Sequence, residues 1–184
     1  MAIYHFSAKI IQRSKGRSAI AAAAYRAASA LHDERLGRTF NYLDKAGVIH
    51  SEILLPEGAP ARWLDRELLW NEVEQGERRK DSALAREIEL SLPRELSQAE
   101  AIALVRDFAR EQFVSKGMVA DINVHWGQSA AGEAQPHAHI MLTMRRVVPG
   151  PDGHPEAGVF GLGAGLGRPG AAAELARALG GDDQ

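Results

Sequence analysis

The sequence predicts an α+β fold, with a single, mainly antiparallel β-sheet and helices packed on one of its faces. Short segments rich in β-branched and aromatic residues alternate with longer segments whose apolar residues recur at helical spacing. Two extended segments, 119–126 and 136–146, are joined by a Gly-containing turn that suits an antiparallel pair. The chain has 184 residues, enough for one sizeable core, so a single domain is expected.

The first part of the chain is expected to form a strand, a helix and a hairpin. Residues 3–10 alternate as a strand does, and Ser18 is placed as the N-cap of an Ala-rich helix from 19 to about 31. Residues 39–43 and 48–55 flank a polar turn and are expected to pair with each other as a hairpin.

The second part supplies the remaining elements: a helix at 61–80, a strand at 84–92, a helix between Ser97 and Gly117, and strands at 119–126 and 136–146. Beyond residue 148 the composition shifts to Gly and Pro, and only 171–179 looks helical. We therefore expect a domain at 1–148 and, at 149–184, a tail that is flexible or begins a longer protein.

The composition excludes several classes of site. The chain has no Cys, so it can form neither a disulfide framework nor a thiolate metal site. Hydrophobic residues make up 45% and charged residues 25%, which is ordinary for a globular protein. No apolar run reaches membrane-spanning length and the N-terminus lacks a signal-peptide layout, so a cytoplasmic protein without membrane insertion is expected.

Positive charge is concentrated near the N-terminus although the net charge is −2. Residues 1–50 hold eight Lys or Arg against three Asp or Glu. A basic face attracts phosphate whatever the net charge, so a nucleic-acid partner is predicted, and the alternative is a solvated basic face without a ligand. The candidate DNA-binding residues are Lys9, Arg13, Lys15, Arg17 and Arg26.

Three histidines are spaced so that they could bind one metal ion. His137 and His139 point to the same side of a strand, and His125 lies on the preceding strand, so antiparallel pairing would bring the three rings together. Neutral imidazoles leave a divalent ion its charge and open positions for oxygen ligands, which suits Lewis-acid chemistry on a phosphate. Mg²⁺ or Mn²⁺ is expected. The alternative is that these are ordinary strand residues. His5 is a candidate for supporting the ligands from a neighbouring strand.

Tyr25 and two acids are candidates for covalent catalysis. Tyr25 sits mid-helix among Ala and Ser, so a DNA backbone has room to approach its hydroxyl. A phenol, with its ordinary pKa near 10, can attack phosphorus if a base or positive charge assists it, whereas the ordinary alternative is a ring packed on the sheet. Tyr4 and Tyr42 are the competing tyrosines. Glu87 and Glu89 share a strand face, and either could orient an imidazole or accept the phenolic proton.

Five motifs occur in order along the chain: AIYHF at 2–6, RSA to AYR from 17 to 26, SEILLP at 51–56, ARE to LP from 85 to 93, and PHAH at 136–139. Together they resemble the MobA/MobL family of plasmid mobilisation relaxases and, within it, the TraA-type conjugative relaxases. The resemblance runs from the N-terminus to about residue 146. The loop between the first His and the His pair is longer than in some relatives, and the helicase, primase or other C-terminal regions usual in such relaxases are absent from this sequence.

The resemblance implies an HUH endonuclease fold that nicks one DNA strand at an origin of transfer, keeps the 5′ phosphate on a tyrosine and later religates. It places the nucleophile at Tyr25, the acid at Glu87 and the metal ligands at His125, His137 and His139. It implies single-stranded origin DNA, relaxosome accessory proteins and a type IV secretion coupling protein as partners, with export alongside the DNA. Rival functions are a rolling-circle replication initiator, a non-catalytic DNA-binding module and a metal-dependent hydrolase.

Overall fold

The fold consists mainly of β-strands, which are distributed along the described part of the chain between residues 6 and 161. The structure is a computed structural model and describes residues 5–149 and 155–161, with side chains described through 147. The strands are β1 (Phe6–Gln12), β2 (Ala30–Asp33), β3 (Arg38–Asn41), β4 (Val48–Leu54), β5 (Ala83–Ser91), β6 (Ala120–Gln128), β7 (Ala134–Thr143), β8 (Arg146–Pro149) and β9 (Pro155–Gly161). The helices are α1 (Ala19–Ala27), α2 (Arg66–Gly76) and α3 (Gln98–Gln112).

Five of these strands form the central sheet, in the order β1-β5-β7-β6-β4. Every neighbouring pair in it is antiparallel. Two two-stranded ribbons, β2-β3 and β8-β9, lie outside it. The predicted α+β class and mainly antiparallel sheet are confirmed.

Helices cover both faces of the sheet, so the expectation that they pack on one face is wrong. The apolar residues of α3, such as Val105 and Phe108, pack against one face through Ile122 and Ile140. Helices α1 and α2 cover the other face, which carries the histidines. That face also carries apolar residues such as Met141, which is fully buried against these two helices. Because apolar residues on a sheet must be shielded from water, helices pack on this face as well.

Helix α1 ends four residues earlier than predicted, and this changes the strand pairing. Ala28 adopts a left-handed conformation with φ of 49°, and its N–H bonds to the Ala24 carbonyl, which closes the helix. The residues that follow form β2, in which Leu31 and Asp33 are buried. The predicted hairpin of 39–43 with 48–55 is therefore wrong, because β3 pairs with β2 while β4 pairs with β6.

The other elements lie close to their predicted positions. The segment predicted as one helix at 61–80 is a 3₁₀ turn, Ala61–Leu64, followed by α2, whose N-cap Asp65 accepts from the Leu68 N–H. Ser97 caps α3 with a full capping box, as its sequence suggests. Within the segment predicted as a tail, residues 155–161 form β9, which pairs antiparallel with β8. The remainder of the predicted tail, with the helix at 171–179, lies outside the described residues.

Candidate metal centre and nucleophile

The histidine face is assembled by strand register. His125 and His137 are directly opposite on β6 and β7. His139, two residues further along β7, faces Asn123 on β6 and Glu89 on β5. Because side chains alternate along a strand, these residues all project toward α1 and α2. The predicted convergence of the three rings is what this register produces.

The three imidazoles lie close enough to share one ion. Their candidate ligand nitrogens are all within 4.8 Å of one another. The His125 ring centroid is 5.0 Å from that of His137 and 4.7 Å from that of His139, and the latter two are 5.2 Å apart. His125 and His139 are buried, and His137 is partly exposed. The partial exposure of His137 leaves the cluster accessible to solvent at that ring.

Each ring has its second nitrogen turned toward an acceptor. His125 donates from Nε2 to the Arg26 carbonyl at 2.7 Å, and His137 donates from Nδ1 to the Gln135 carbonyl at 3.1 Å. His139 Nδ1 lies 3.6 Å from Glu87 Oε1 and is buried without a hydrogen bond. The carbonyl contacts of His125 and His137 fix the tautomers of these two rings and leave the opposite nitrogen of each as a lone-pair donor. The residues therefore fit a divalent metal ion.

Burial keeps the His125 ring neutral at ordinary pH. Desolvation lowers the pKa of His125 to about 4, reinforced by the neighbouring positive charges of His139, Lys45 and His137, and it outweighs the opposing effect of the Arg26 carbonyl. A neutral imidazole at ordinary pH has the lone pair that a metal requires.

Glu87 is a fully buried carboxylate with three basic neighbours. Arg26 binds it through two hydrogen bonds of 3.0 Å, from Nε and Nη2. Lys9 Nζ is 3.2 Å from the same carboxylate. Burial alone would raise the pKa of Glu87, but His139, Arg26 and Lys9 outweigh it and hold that pKa at about 2. The group is ionised at any ordinary pH. Glu89 is partly exposed, and its carboxylate lies within 4.8 Å of the ligand atoms of Glu87 and His139.

Tyr25 lies in the last turn of α1 with 44% of its surface exposed. The next residue, Arg26, supplies the carbonyl that holds His125, so one peptide segment joins the tyrosine to the histidine cluster. Tyr42 packs edge-on against the Tyr25 ring, with centroids 5.2 Å apart. Tyr4 lies outside the described residues.

Two of the predicted basic residues are free to meet DNA and a third is not. Lys15 and Arg17 are exposed. Arg13 instead donates to the Glu74 carboxylate at 2.7 Å and to the carbonyls of Glu74, Glu77 and Arg79. Its guanidinium is committed to holding the end of α2, so the expectation that it contacts DNA is not supported.

His5 does not belong to the cluster. It is exposed, and its carbonyl accepts from the Ser91 N–H at the edge of the sheet. Strand β5 lies between this edge and β7, a separation of two strand spacings or about 10 Å between backbones.

A buried polar network lies beneath the cluster: Asp121 and Asn123 share the strand face of His125, as the alternation of β6 predicts, and their partners come from distant elements. Asp121 accepts two hydrogen bonds of 2.9 Å from Arg66 and one of 2.9 Å from Trp70 Nε1. Asn123 donates to the same carboxylate at 3.1 Å and accepts from Ser51 at 2.7 Å. The network ties α2 and β4 to β6 just before His125. The sequence pattern that indicates this network is a polar residue at every second position of an otherwise apolar strand.

Comparison with known proteins identifies the family. The family model described as "MobA/MobL family" matches residues 17–158, which is more than half of the chain. The chain belongs to the MobA/MobL family. "Conjugal transfer protein TraA" of Rhizobium radiobacter is 44% identical over 156 residues, and "Mobilization protein MobL" of Acidithiobacillus ferridurans is 42% identical over 170 residues. The resemblance inferred from the five motifs is confirmed.

The matches differ in how much of each protein they cover. The TraA match spans 79% of this chain but 14% of that relative, and the MobL match spans 81% of this chain and 44% of that relative. A solved structure described as "Molecular Basis of Vancomycin Resistance Transfer in Staphylococcus aureus" is 32% identical, with a TM-score of 0.80 over 96% of this chain and 88% of that one. The MobA/MobL fold is therefore shared over the described sheet and helices. No helix among the described residues could cross a membrane.

Proposed function

We propose that this chain is a relaxase domain: it nicks and religates one DNA strand at an origin of transfer through a covalent phosphotyrosine, with the help of a divalent metal ion. The observation that carries the proposal is the hydrogen bond from His125 to the Arg26 carbonyl, since it ties the helix bearing Tyr25 to the three-imidazole cluster. Membership of the MobA/MobL family and the names of its relatives support the same function.

In the proposed reaction the Tyr25 hydroxyl oxygen bonds to phosphorus while the bond from phosphorus to the 3′ oxygen breaks. The phenol loses its proton and the departing 3′ oxygen gains one. Mg²⁺ or Mn²⁺, held by His125, His137 and His139, would supply Lewis-acid stabilisation of charge on the phosphate oxygens. Because one phosphodiester replaces another, religation is the same step reversed and requires no ATP.

Glu87 is assigned an orienting role in this scheme. Its contacts hold the His139 ring and the Arg26 side chain in place, as carboxylates beside metal-binding histidines do. A carboxylate with a pKa of about 2, bonded to an arginine through both oxygens, is a poor acceptor for a phenolic proton. Glu89, partly exposed beside it, is the better candidate for that role.

The proposed substrate is single-stranded DNA that follows the basic residues near the N-terminus. Lys15 and Arg17 are exposed there, and Lys9 retains 45% of its side-chain surface although it is paired with Glu87. Such contacts fix the path of the backbone and not the base sequence. In the cell we propose a cytoplasmic relaxosome with accessory proteins and a secretion coupling protein as partners.

One experiment separates this function from its rivals. The chain is incubated with Mg²⁺ or Mn²⁺ and with labelled single-stranded oligonucleotides that cover a plasmid's transfer and replication origins. The mixture is then denatured and examined for DNA that remains attached to the protein. An adduct on transfer-origin DNA is the expected result. An adduct on replication-origin DNA alone would indicate a replication initiator, cleavage without an adduct would indicate a hydrolase, and binding without cleavage would indicate a DNA-binding module.

A further inference from the structure

The loop between β3 and β4 closes over the candidate nucleophile. Lys45, in this loop, donates from Nζ to the Tyr25 carbonyl at 3.0 Å. The same ammonium lies 3.9 Å from the centroid of the Tyr25 ring. One side chain thus holds both the backbone and the ring of Tyr25, a pair of contacts that the phosphoryl-transfer scheme above does not use.

The loop is itself fixed to the site at both ends. Tyr42 donates its N–H to the Ser29 carbonyl just after α1, and its ring packs against Tyr25. At the other end, the Gly47 carbonyl accepts from the Trp126 N–H at 2.7 Å, next to His125 on β6. Gly47 has φ of 94°, a conformation that side chains disfavour. Lys45 is therefore presented to Tyr25 from a braced segment and not from a free loop.

The environment of Lys45 strengthens both contacts. Lys45 is partly buried, and burial, followed by the charge of Arg26, lowers its pKa below the ordinary 10.5. An ammonium that has lost part of its water binds a carbonyl and an aromatic face more strongly than an exposed one does. Tyr25 has 44% of its surface exposed, and without the Lys45 contacts its ring would be held only by the edge of Tyr42 and by the Arg26 guanidinium 5.0 Å from its centroid, so its rotamer would be less restricted.

We propose that Lys45 is a positioning residue that holds Tyr25 in the orientation for attack on the phosphate. The inference rests on the proposed role of Tyr25. Positioning of a reacting group contributes to the chemical step and not to substrate binding, so its loss is expected to lower kcat and to leave KM unchanged.

The test is Lys45→Met in the full chain, which keeps the apolar stem and removes the ammonium. We expect kcat for nicking of the labelled origin oligonucleotide to fall roughly tenfold, the middle of the range for a partly desolvated cation–aromatic contact, with KM within about twofold of wild type. Lys45→Arg should recover part of the rate, since a guanidinium can reach both groups. Lys116→Met, at an exposed lysine after α3, is the matched control and should behave as wild type.

A second measurement does not depend on catalysis. In protein with ¹³C-labelled tyrosine rings and no DNA, the Tyr25 resonances, assigned with Tyr25→Phe, should show new rotamer averaging in Lys45→Met. If Lys45→Met has the wild-type kcat and unchanged Tyr25 resonances, the proposal is overturned. It is also overturned if Lys45→Met has a lower melting temperature and a raised KM and Lys45→Arg does not restore them. If instead Tyr25→Phe nicks normally, the nucleophile assignment fails, and the resonances still decide whether Lys45 orders the ring.

Discussion

Replacing Glu87 by Gln would remove a buried negative charge and leave the side-chain shape almost unchanged. Arg26, with 16% of its side chain exposed, would lose its ionic partner, and His139 would lose the carboxylate beside Nδ1. Lys9 is 45% exposed, so solvent screens its share. The variant therefore tests mainly the pairing of Glu87 with Arg26 and with His139.

The size of the effect follows from the pKa of Glu87. Its value of about 2, against 4.5 for an ordinary Glu, corresponds to about 3 kcal/mol of folding free energy. Removing one member of a buried ion pair typically costs about 3–5 kcal/mol, which agrees. Because the folded-state pKa is depressed, this stability is fully present above pH 4.5 and is lost as the pH falls toward 2.

Urea unfolding of the metal-free protein measures the prediction. At pH 7 the free energy of unfolding of Glu87→Gln should be about 3 kcal/mol below wild type, and the gap should shrink steadily between pH 4.5 and 2. Glu95→Gln, at an exposed position, is the control and should match wild type. A cost under about 1 kcal/mol at pH 7, or a gap that does not change with pH, would refute the pairing described for Glu87.

Three further outcomes test the site. Tyr25→Phe should abolish both nicking and the covalent adduct while Tyr42→Phe still cuts; mass spectrometry that finds DNA on a Tyr42 peptide would reverse this assignment. The double variant His125→Ala with His137→Ala should lose metal binding in titration calorimetry and lose nicking, with a much smaller loss of DNA affinity, and tight metal binding by that variant would disprove the three-histidine site. Lys15→Ala should reduce the slope of log affinity against log salt by about 0.7, the value for one phosphate contact on single-stranded DNA, and an unchanged slope would place the DNA elsewhere.

The histidine cluster could be predicted from the sequence because its geometry is local. His137 and His139 are two residues apart on one strand, and a short turn brings His125 opposite them. Side-chain alternation then fixes the shared face with no knowledge of the rest of the fold. The choice of Tyr25 among the tyrosines, and of Glu87 over Glu89, came from the family resemblance, because side-chain spacing alone left these choices open.

The features that the sequence did not reveal depend on distant parts of the chain. The partner of Glu87 is Arg26, 61 residues away, and no spacing rule connects them. The end of α1 differs from the prediction because alanine favours helix, whereas the left-handed conformation of Ala28 is set by the strand that follows it. Arg13 is predicted as a DNA contact from its charge alone, whereas its guanidinium donates to Glu74 on α2 and to carbonyls just beyond the end of that helix.

The distribution of the site along the chain has a consequence for synthesis. Tyr25 leaves the ribosome early, but the carbonyl next to it holds a histidine 99 residues further on, and His139 follows later still. At about 5–20 residues per second, the nascent chain carries Tyr25 for roughly 6 to 23 s before His139 is made. During the first part of that interval β1 has no β5 to pair with, and the strands that carry the histidines, β6 and β7, are made last. A ribosome-bound chain stalled before residue 120 should therefore be unable to nick DNA, and nicking should appear only once β7 has emerged and paired.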